Sequence, residues 1–124
     1  MKNIHTDSAP KAIGPYSQAI VTNGLLFTSG QIPLTTAGEI ITGDVRAQAK
    51  QVFQNLKAVL AAAGCEFHHV VKATVFLTTM DDFPALNEIY QEQMGDHKPA
   101  RSTVAVAGLP KGAKVEIEVV AQIP

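Results

Sequence analysis

Residues 44–64 carry the pattern that most restricts the fold of this chain. Apolar side chains recur there at steps of three and four, at Val45, Ala49, Val52, Phe53, Leu56, Val59, Leu60 and Ala63. This period gathers them into one stripe along a helix, with Asp44 as the N-cap and Gly64 at the C-terminal end. A helix with a single apolar stripe has to pack against another layer, so we predict that it lies on a sheet.

The segments around this helix predict the strands of that sheet. Asn23-Gly24 between two apolar runs is the strongest hairpin signal in the chain. A second helix is predicted from residue 82 to about residue 94, with Pro84 in its first turn. Residues 1–17 are rich in turn signals. The predicted strands span residues 19–22, 25–29, 70–78, 103–107 and 115–121.

The resulting order, β-β-α-β-α-β-β, describes a single α+β domain over residues 1–124. Two helices can cover only one face of a five- or six-stranded sheet, so water or another copy has to cover the other face. Val70-Val71 and Val119-Val120 place apolar groups on both faces. This favours the second alternative, and we expect a homo-oligomer.

Composition limits the classes of function. The chain has 124 residues, of which 46% are hydrophobic and 17% charged, and this is typical of a globular protein. Its net charge of −1 argues against binding to nucleic acid through a basic surface. No apolar run reaches the length of a membrane span, and the N-terminus has no signal-like apolar core. With one cysteine, no disulfide can form within the chain, so we expect a cytoplasmic protein.

The last quarter of the chain concentrates the charged groups of interest. Its two predicted strands are separated by the turn at 108–112, and this pattern predicts a hairpin. Arg101 lies just before the first strand, and Glu116 and Glu118 lie in the second. If the strands pair, the three charges lie close together. They form either a solvated ion pair at the rim of the sheet or a site for a small anionic substrate.

Other kinds of site are not indicated. No His/Cys/Asp/Glu spacing resembles a metal site, and no glycine-rich phosphate loop is present. Cys65 at the negative end of the first helix is expected to be inert. The remaining polar candidates can bind a carboxylate and transfer a proton, but without a cofactor they cannot carry a hydride. They are Tyr16, Ser29, Gln31, Asn87, Arg101, Glu116 and Glu118.

Several motifs in this order resemble the RidA/YjgF family, over residues from about 7 to the C-terminus. They are Ala12-Ile-Gly-Pro-Tyr-Ser-Gln18, Thr28-Ser-Gly-Gln-Ile-Pro33, Val71-Lys-Ala-Thr-Val-Phe76, Asp82-Phe with Asn87-Glu-Ile-Tyr90, Pro99-Ala-Arg-Ser102 and Val115-Glu-Ile-Glu118. The resemblance implies a chorismate-mutase-like fold of the bacillus type, with two helices on one face of a mixed sheet. It also implies a homotrimeric barrel with ligand clefts between subunits.

The activity implied by the resemblance is hydrolysis of reactive enamines and imines, such as 2-aminoacrylate and 2-iminobutyrate, to 2-keto acids and ammonia, without a cofactor. Arg101 would hold the substrate carboxylate and Glu116 would activate water. The remaining substrate-binding positions implied are Tyr16, Ser29, Gly30, Asn87 and Thr103. The alternative function is that of a non-catalytic small-molecule binder with a regulatory or chaperone-like role.

Three positions depart from the family's usual residues. Thr103 stands where the family often has cysteine, Gly108 where it often has arginine, and Gly112 where it often has aspartate. The missing thiol is not needed as a nucleophile, so we expect activity to survive. The missing cation at position 108 bears on the electrostatics of the cleft and on substrate preference.

Overall fold

Two helices lie on one face of a six-stranded mixed sheet in the computed structural model, which describes residues 1–124. The helices are α1 (Val45–Ala62) and α2 (Phe83–Met94). The strands are β1 (Lys2–Ile4), β2 (Ala19–Thr22), β3 (Leu25–Thr28), β4 (Val70–Leu77), β5 (Ala100–Ala105) and β6 (Val115–Gln122). They are arranged in the order β1-β2-β3-β6-β4-β5, and only β4 and β5 are parallel.

Both predicted helices are confirmed, and α1 packs on the sheet along its predicted apolar face. The Asp44 carboxylate caps α1 by accepting a hydrogen bond of 3.0 Å from the backbone N–H of Ala47. The apolar stripe of α1 is buried, and Phe53, Leu56 and Leu60 in it are fully enclosed. These side chains pack on the sheet face formed by alternate residues of β4 and β6. That inner face is apolar throughout, with Val75, Leu77, Val115, Ile117 and Val119.

The strand β1 was not predicted, since residues 1–17 read as turns. It pairs antiparallel with β2 and buries Ile4 against the core. A strand of three residues is too short to show a period of two. Its place depends on pairing with an edge strand that only the tertiary structure provides.

The predicted hairpin at the C-terminus was wrong. The strands β5 and β6 do not pair with each other, because β4 lies between them and pairs with both. α2 connects β4 to β5 as a crossover, and such a connection makes the two strands parallel. β5 also begins at Ala100, so Arg101 lies inside the strand and does not precede it.

The outer face of the sheet carries no helix and has many apolar residues, as predicted. Phe27 and Val104 on this face are 42% and 43% exposed. Phe76 and Val120 lie between them on the central strands. Neither α1 nor α2 is long and apolar enough to cross a membrane.

Candidate active site

Arg101 is held by three side chains on one face of α2. Its Nη1 donates a hydrogen bond of 2.8 Å to the Asn87 side-chain oxygen. Its Cζ lies 4.6 Å from the ring centroid of Tyr90 and 5.4 Å from that of Phe83. Residues 83, 87 and 90 follow helical spacing, so α2 presents all three toward β5. No carboxylate of the chain pairs with this guanidinium. It is oriented by an amide and two rings, and its charge is available to a ligand.

The Arg101 cavity, as we call it, has a volume of about 420 Å³. Two hydroxyl groups next to this arginine, those of Tyr90 and Thr103, are buried without a hydrogen-bond partner. Burial raises the pKa of the Tyr90 phenol, while the nearby charge of Arg101 acts in the opposite direction. The cavity is lined by Asn87, Tyr90, Gln91, Met94, Gly95, His97, Lys98, Pro99 and Arg101. None of these residues is acidic, and the lining therefore suits an anion.

Glu116 lines a second cavity, of about 630 Å³, which we call the Glu116 cavity. Tyr16, Ser29 and Gly30 line it with Glu116, and these four are among the residues implied by the resemblance. Partial burial raises the pKa of the Glu116 carboxyl, and the negative charge of Glu118, two residues along the strand, raises it further. A carboxyl group shifted in this direction is better suited to accept and return a proton near neutral pH.

An irregularity between β3 and β6 places Gly30 beneath Glu116. The regular pairing of the two strands ends at Phe27 and resumes with the pair Gln31–Ile117. In between, the Thr28 hydroxyl replaces a backbone acceptor and receives a hydrogen bond of 3.0 Å from the N–H of Val119. A Cβ atom built on Gly30 would lie 2.7 Å from the carboxyl carbon of Glu116 and 2.9 Å from its Cγ. The carboxylate therefore occupies space that only glycine leaves open.

The loop that carries Tyr16 is fixed from both sides. The Ser29 hydroxyl donates a hydrogen bond to the carbonyl oxygen of Ser17. The buried Gln18 side chain donates to the carbonyl oxygens of Pro10 and Thr6, at 2.8 and 3.0 Å. These bonds set the wall of the Glu116 cavity at the position of Tyr16, whose ring is half exposed.

Arg101 and Glu116 lie on opposite faces of the sheet, so the closeness expected if their two strands paired does not occur within one chain. On β4, Ala73 pairs with Arg101 and Phe76 pairs with Glu116. Side chains alternate between faces along a strand, and positions 73 and 76 differ by an odd number. Arg101 therefore faces the helices, and Glu116 faces the outer side.

The candidate residues accordingly divide into two groups. Asn87 and Thr103 accompany Arg101, since Thr103 lies two residues farther along the same face of β5. Tyr16, Ser29 and Gly30 accompany Glu116. Sequence reasoning placed neither Tyr90 nor Phe83 among the candidate residues and missed their contact with Arg101. The helical spacing of these two residues with Asn87 was the signal that could have revealed it.

Comparison with known proteins identifies the family of this chain. The family model described as Endoribonuclease L-PSP matches residues 6–123. This chain belongs to that family, the RidA/YjgF family. The fold agrees, because the putative endoribonuclease of Thermotoga maritima superimposes with a TM-score of 0.96 at 50% identity, covering 98% of this chain and 97% of that one. Escherichia coli TdcF, solved with bound serine, superimposes with a TM-score of 0.93 at 44% identity, covering 98% of each chain.

Curated family members have different names. Protein DfrA of Myxococcus xanthus is 54% identical over 97% of this chain and 94% of its own length. The human 2-iminobutanoate/2-iminopropanoate deaminase is 46% identical over 95% of this chain and 87% of its own. The putative regulator AldR of Lactococcus lactis is 48% identical over 99% of this chain and 98% of its own length. Family membership therefore includes deaminases and at least one protein named as a regulator.

Proposed function

We propose that this protein hydrolyses reactive 2-enamines and 2-imines, such as 2-aminoacrylate and 2-iminobutyrate, to 2-keto acids and ammonia. The observation that carries the proposal is an arginine held by Asn87, Tyr90 and Phe83 but paired with no carboxylate. A planar guanidinium in this state matches a substrate carboxylate. Glu116, with its raised pKa, supplies the proton-transferring group. The deaminase name of a human relative that is 46% identical supports the same chemistry.

The active site we propose lies between two copies of the chain, with Arg101 from one copy and Glu116 from its neighbour. Within one chain these residues face opposite sides of the sheet and line separate cavities. Exposed Phe27 and Val104 give the outer face an apolar surface that a neighbouring copy would cover. A homotrimer that closes the sheets into a barrel would repeat this contact three times.

The mechanism follows from the placement of the two groups. An enamine substrate first gains a proton on its β-carbon and becomes the iminium ion, which is also the protonated form of an imine substrate, while Arg101 holds its carboxylate. Glu116 removes a proton from water as the water oxygen bonds to the iminium carbon, and the C=N π pair moves to nitrogen, which becomes a neutral amine. Glu116 then returns its proton to nitrogen, the C–N bond breaks with its electron pair leaving on ammonia, and the hydroxyl proton passes to that ammonia, which leaves the keto acid and ammonium. Holding the substrate anion contributes positioning.

The activity is tested by coupling the protein to threonine dehydratase and following the loss of 2-iminobutyrate. Arg101→Ala should lower kcat/KM by about thirtyfold or more, which corresponds to about 2 kcal/mol for leaving a charged ligand unpaired. An Arg101→Ala protein as fast as the wild type would overturn the assignment.

The shared site is tested by mixing two inactive variants, Arg101→Ala and Glu116→Gln, under conditions that allow subunits to exchange. If each site takes Arg101 from one copy and Glu116 from another, about one quarter of the sites in a random equal mixture contain both native residues. Activity should recover to about that fraction. If each site were formed by a single chain, mixing would restore nothing.

A non-catalytic regulatory role is the second candidate, since the relative AldR is named as a putative regulator. In that case the protein would bind 2-ketobutyrate with Arg101 but would never accelerate loss of the imine. Calorimetry with 2-ketobutyrate next to the kinetic assay distinguishes the two functions. RNA cleavage is disfavoured, because a chain of net charge −1 has no excess of positive charge with which to bind a phosphate backbone.

A further inference from the structure

Lys111 has a backbone conformation that is unusual for a lysine. Only two residues other than glycine have positive φ, namely Asn23 at 51° and Lys111 at 57°. Each is followed by a glycine in the same region, Gly24 at 75° and Gly112 at 68°. Asn23-Gly24 and Lys111-Gly112 are therefore two turns of similar left-handed geometry, and they differ in the first side chain.

Asparagine is the residue expected at such a position and lysine is not. In left-handed backbone the Cβ atom crowds the following carbonyl oxygen, and a short polar side chain such as that of asparagine offsets this by local hydrogen bonding. Lysine has no polar atom near its backbone. The turn at 111 would be more stable with asparagine or glycine, so its lysine calls for another explanation.

The position of Lys111 supplies one. Lys111 lines the Glu116 cavity together with Lys11, and Glu116 is the one acidic residue in that lining. Lys111 is exposed and forms no ion pair. Asn23, in the matching turn, lines neither of the two cavities. The lysine in this left-handed turn therefore lines the same cavity as Glu116.

An anionic substrate meets an electrostatic obstacle at this cavity. The carboxylate of a 2-imino acid has to come close to Glu116, with Glu118 next to it on the same strand, and like charges repel. Cationic groups at the mouth of a cleft reverse the sign of the local potential and raise the rate at which anions arrive.

We infer that Lys111 is an anion-recruiting residue of the Glu116 cavity, retained in a left-handed turn because its charge draws the substrate carboxylate toward Glu116. This inference rests on the proposed deaminase function. Lys111 acts on the approach of the substrate and takes no part in the bond-making steps. Its effect therefore falls on kcat/KM and leaves kcat unchanged.

The first test uses Lys111→Met, which keeps the aliphatic stem and the strained backbone but removes the charge. With 2-iminobutyrate at low ionic strength, we expect kcat/KM to fall about three- to tenfold while kcat stays at the wild-type value. The difference should disappear at high salt, where such attraction is screened. Lys111→Arg should restore kcat/KM. Lys57→Met, on the exposed side of α1, is the matched control and should change nothing.

The second test separates recruitment from a role in the turn. Lys111→Asn should raise the melting temperature, because it relieves the strain, and should lower kcat/KM as much as Lys111→Met does. Asn23→Lys should lower the melting temperature and leave kcat/KM unchanged. If Lys111→Asn is more stable and retains full kcat/KM at low salt, the lysine is only a turn residue and the inference is wrong.

Failure of the proposed function gives a different result. A wild-type protein that never accelerates imine loss refutes the deaminase assignment but leaves the anion-recruiting role of Lys111 testable. Calorimetry with 2-ketobutyrate then decides. Weaker binding to Lys111→Met than to the wild type at low salt, with equal binding at high salt, supports recruitment, and equal binding at both overturns it.

Discussion

Replacing Gly30 by alanine should displace the carboxyl group that we propose as the general base. The added Cβ would lie 2.7 Å from the carboxyl carbon of Glu116 and 2.9 Å from its Cγ, and closer still to Oε2. Ordinary contacts of this kind are about 3.4–4 Å, so the Glu116 carboxyl group has to move by roughly 1 Å. Gly30 does not have a left-handed backbone, and alanine therefore adds no conformational strain there.

The size of the effect follows from this displacement. A catalytic group misplaced by about 1 Å can lose about a hundredfold in rate, because the proton transfer needs hydrogen-bond distance. We expect kcat for 2-iminobutyrate to fall about 10- to 100-fold in the threonine dehydratase assay. The melting temperature should stay close to that of the wild type, since Gly30 is exposed and only a partly exposed side chain is disturbed.

Gly108→Ala is the matched control. Gly108 is the other glycine without a positive φ, and a Cβ there meets nothing within 4 Å. This variant should retain both kcat and stability. A Gly30→Ala protein with wild-type kcat would refute the reasoning, and so would an equal loss of activity in both variants.

Three further predictions concern neighbouring features. Glu118→Gln should move the acid limb of the kcat/KM profile to lower pH. The catalytic form of Glu116 is the carboxylate, and removing the adjacent charge lowers its pKa, which burial and Glu118 now raise; an unshifted profile would contradict this. Tyr90→Leu should weaken 2-ketobutyrate binding in calorimetry by removing the ring beside Arg101, whereas Tyr90→Phe keeps the ring and should bind as the wild type does. Leu56→Ala should lower the free energy of unfolding by about 2–5 kcal/mol in urea titrations, because Leu56 is fully buried.

The parts of the fold that sequence predicted are those with a strong local signal. α1 shows its period over eighteen residues, and its Asp44 cap confirms where it begins. The strand β1 has only three residues and therefore shows no hydrophobic period. β5 and β6 were assigned as neighbours because a turn separates them in sequence. Strand order, however, depends on the crossover through α2, which no short pattern reports.

The candidate site shows the same division between residue type and placement. Arg101 can bind a carboxylate and Glu116 can transfer a proton, and each lies in a motif that is visible in the sequence. Whether two residues on different strands share a face depends on the register of both against β4, and an odd offset reverses the answer. The contribution of Gly30 also depends on its distance from the Glu116 side chain, because the missing Cβ leaves the space that this side chain occupies.

Dividing the site between two faces of the sheet has a consequence for the pKa of Glu116. Within one chain that pKa is already raised, mainly by burial. In the proposed assembly a second copy would cover the outer face, withdraw water from the carboxyl group and raise the pKa further. The same copy would bring Arg101, whose positive charge favours the carboxylate and lowers the pKa. Because the two effects oppose each other, assembly could bury the base without leaving it permanently protonated. The two opposing effects on the pKa would exist only where both copies are present. The buried, deprotonated form of Glu116 would therefore occur only in sites that contain Arg101 from a neighbouring copy.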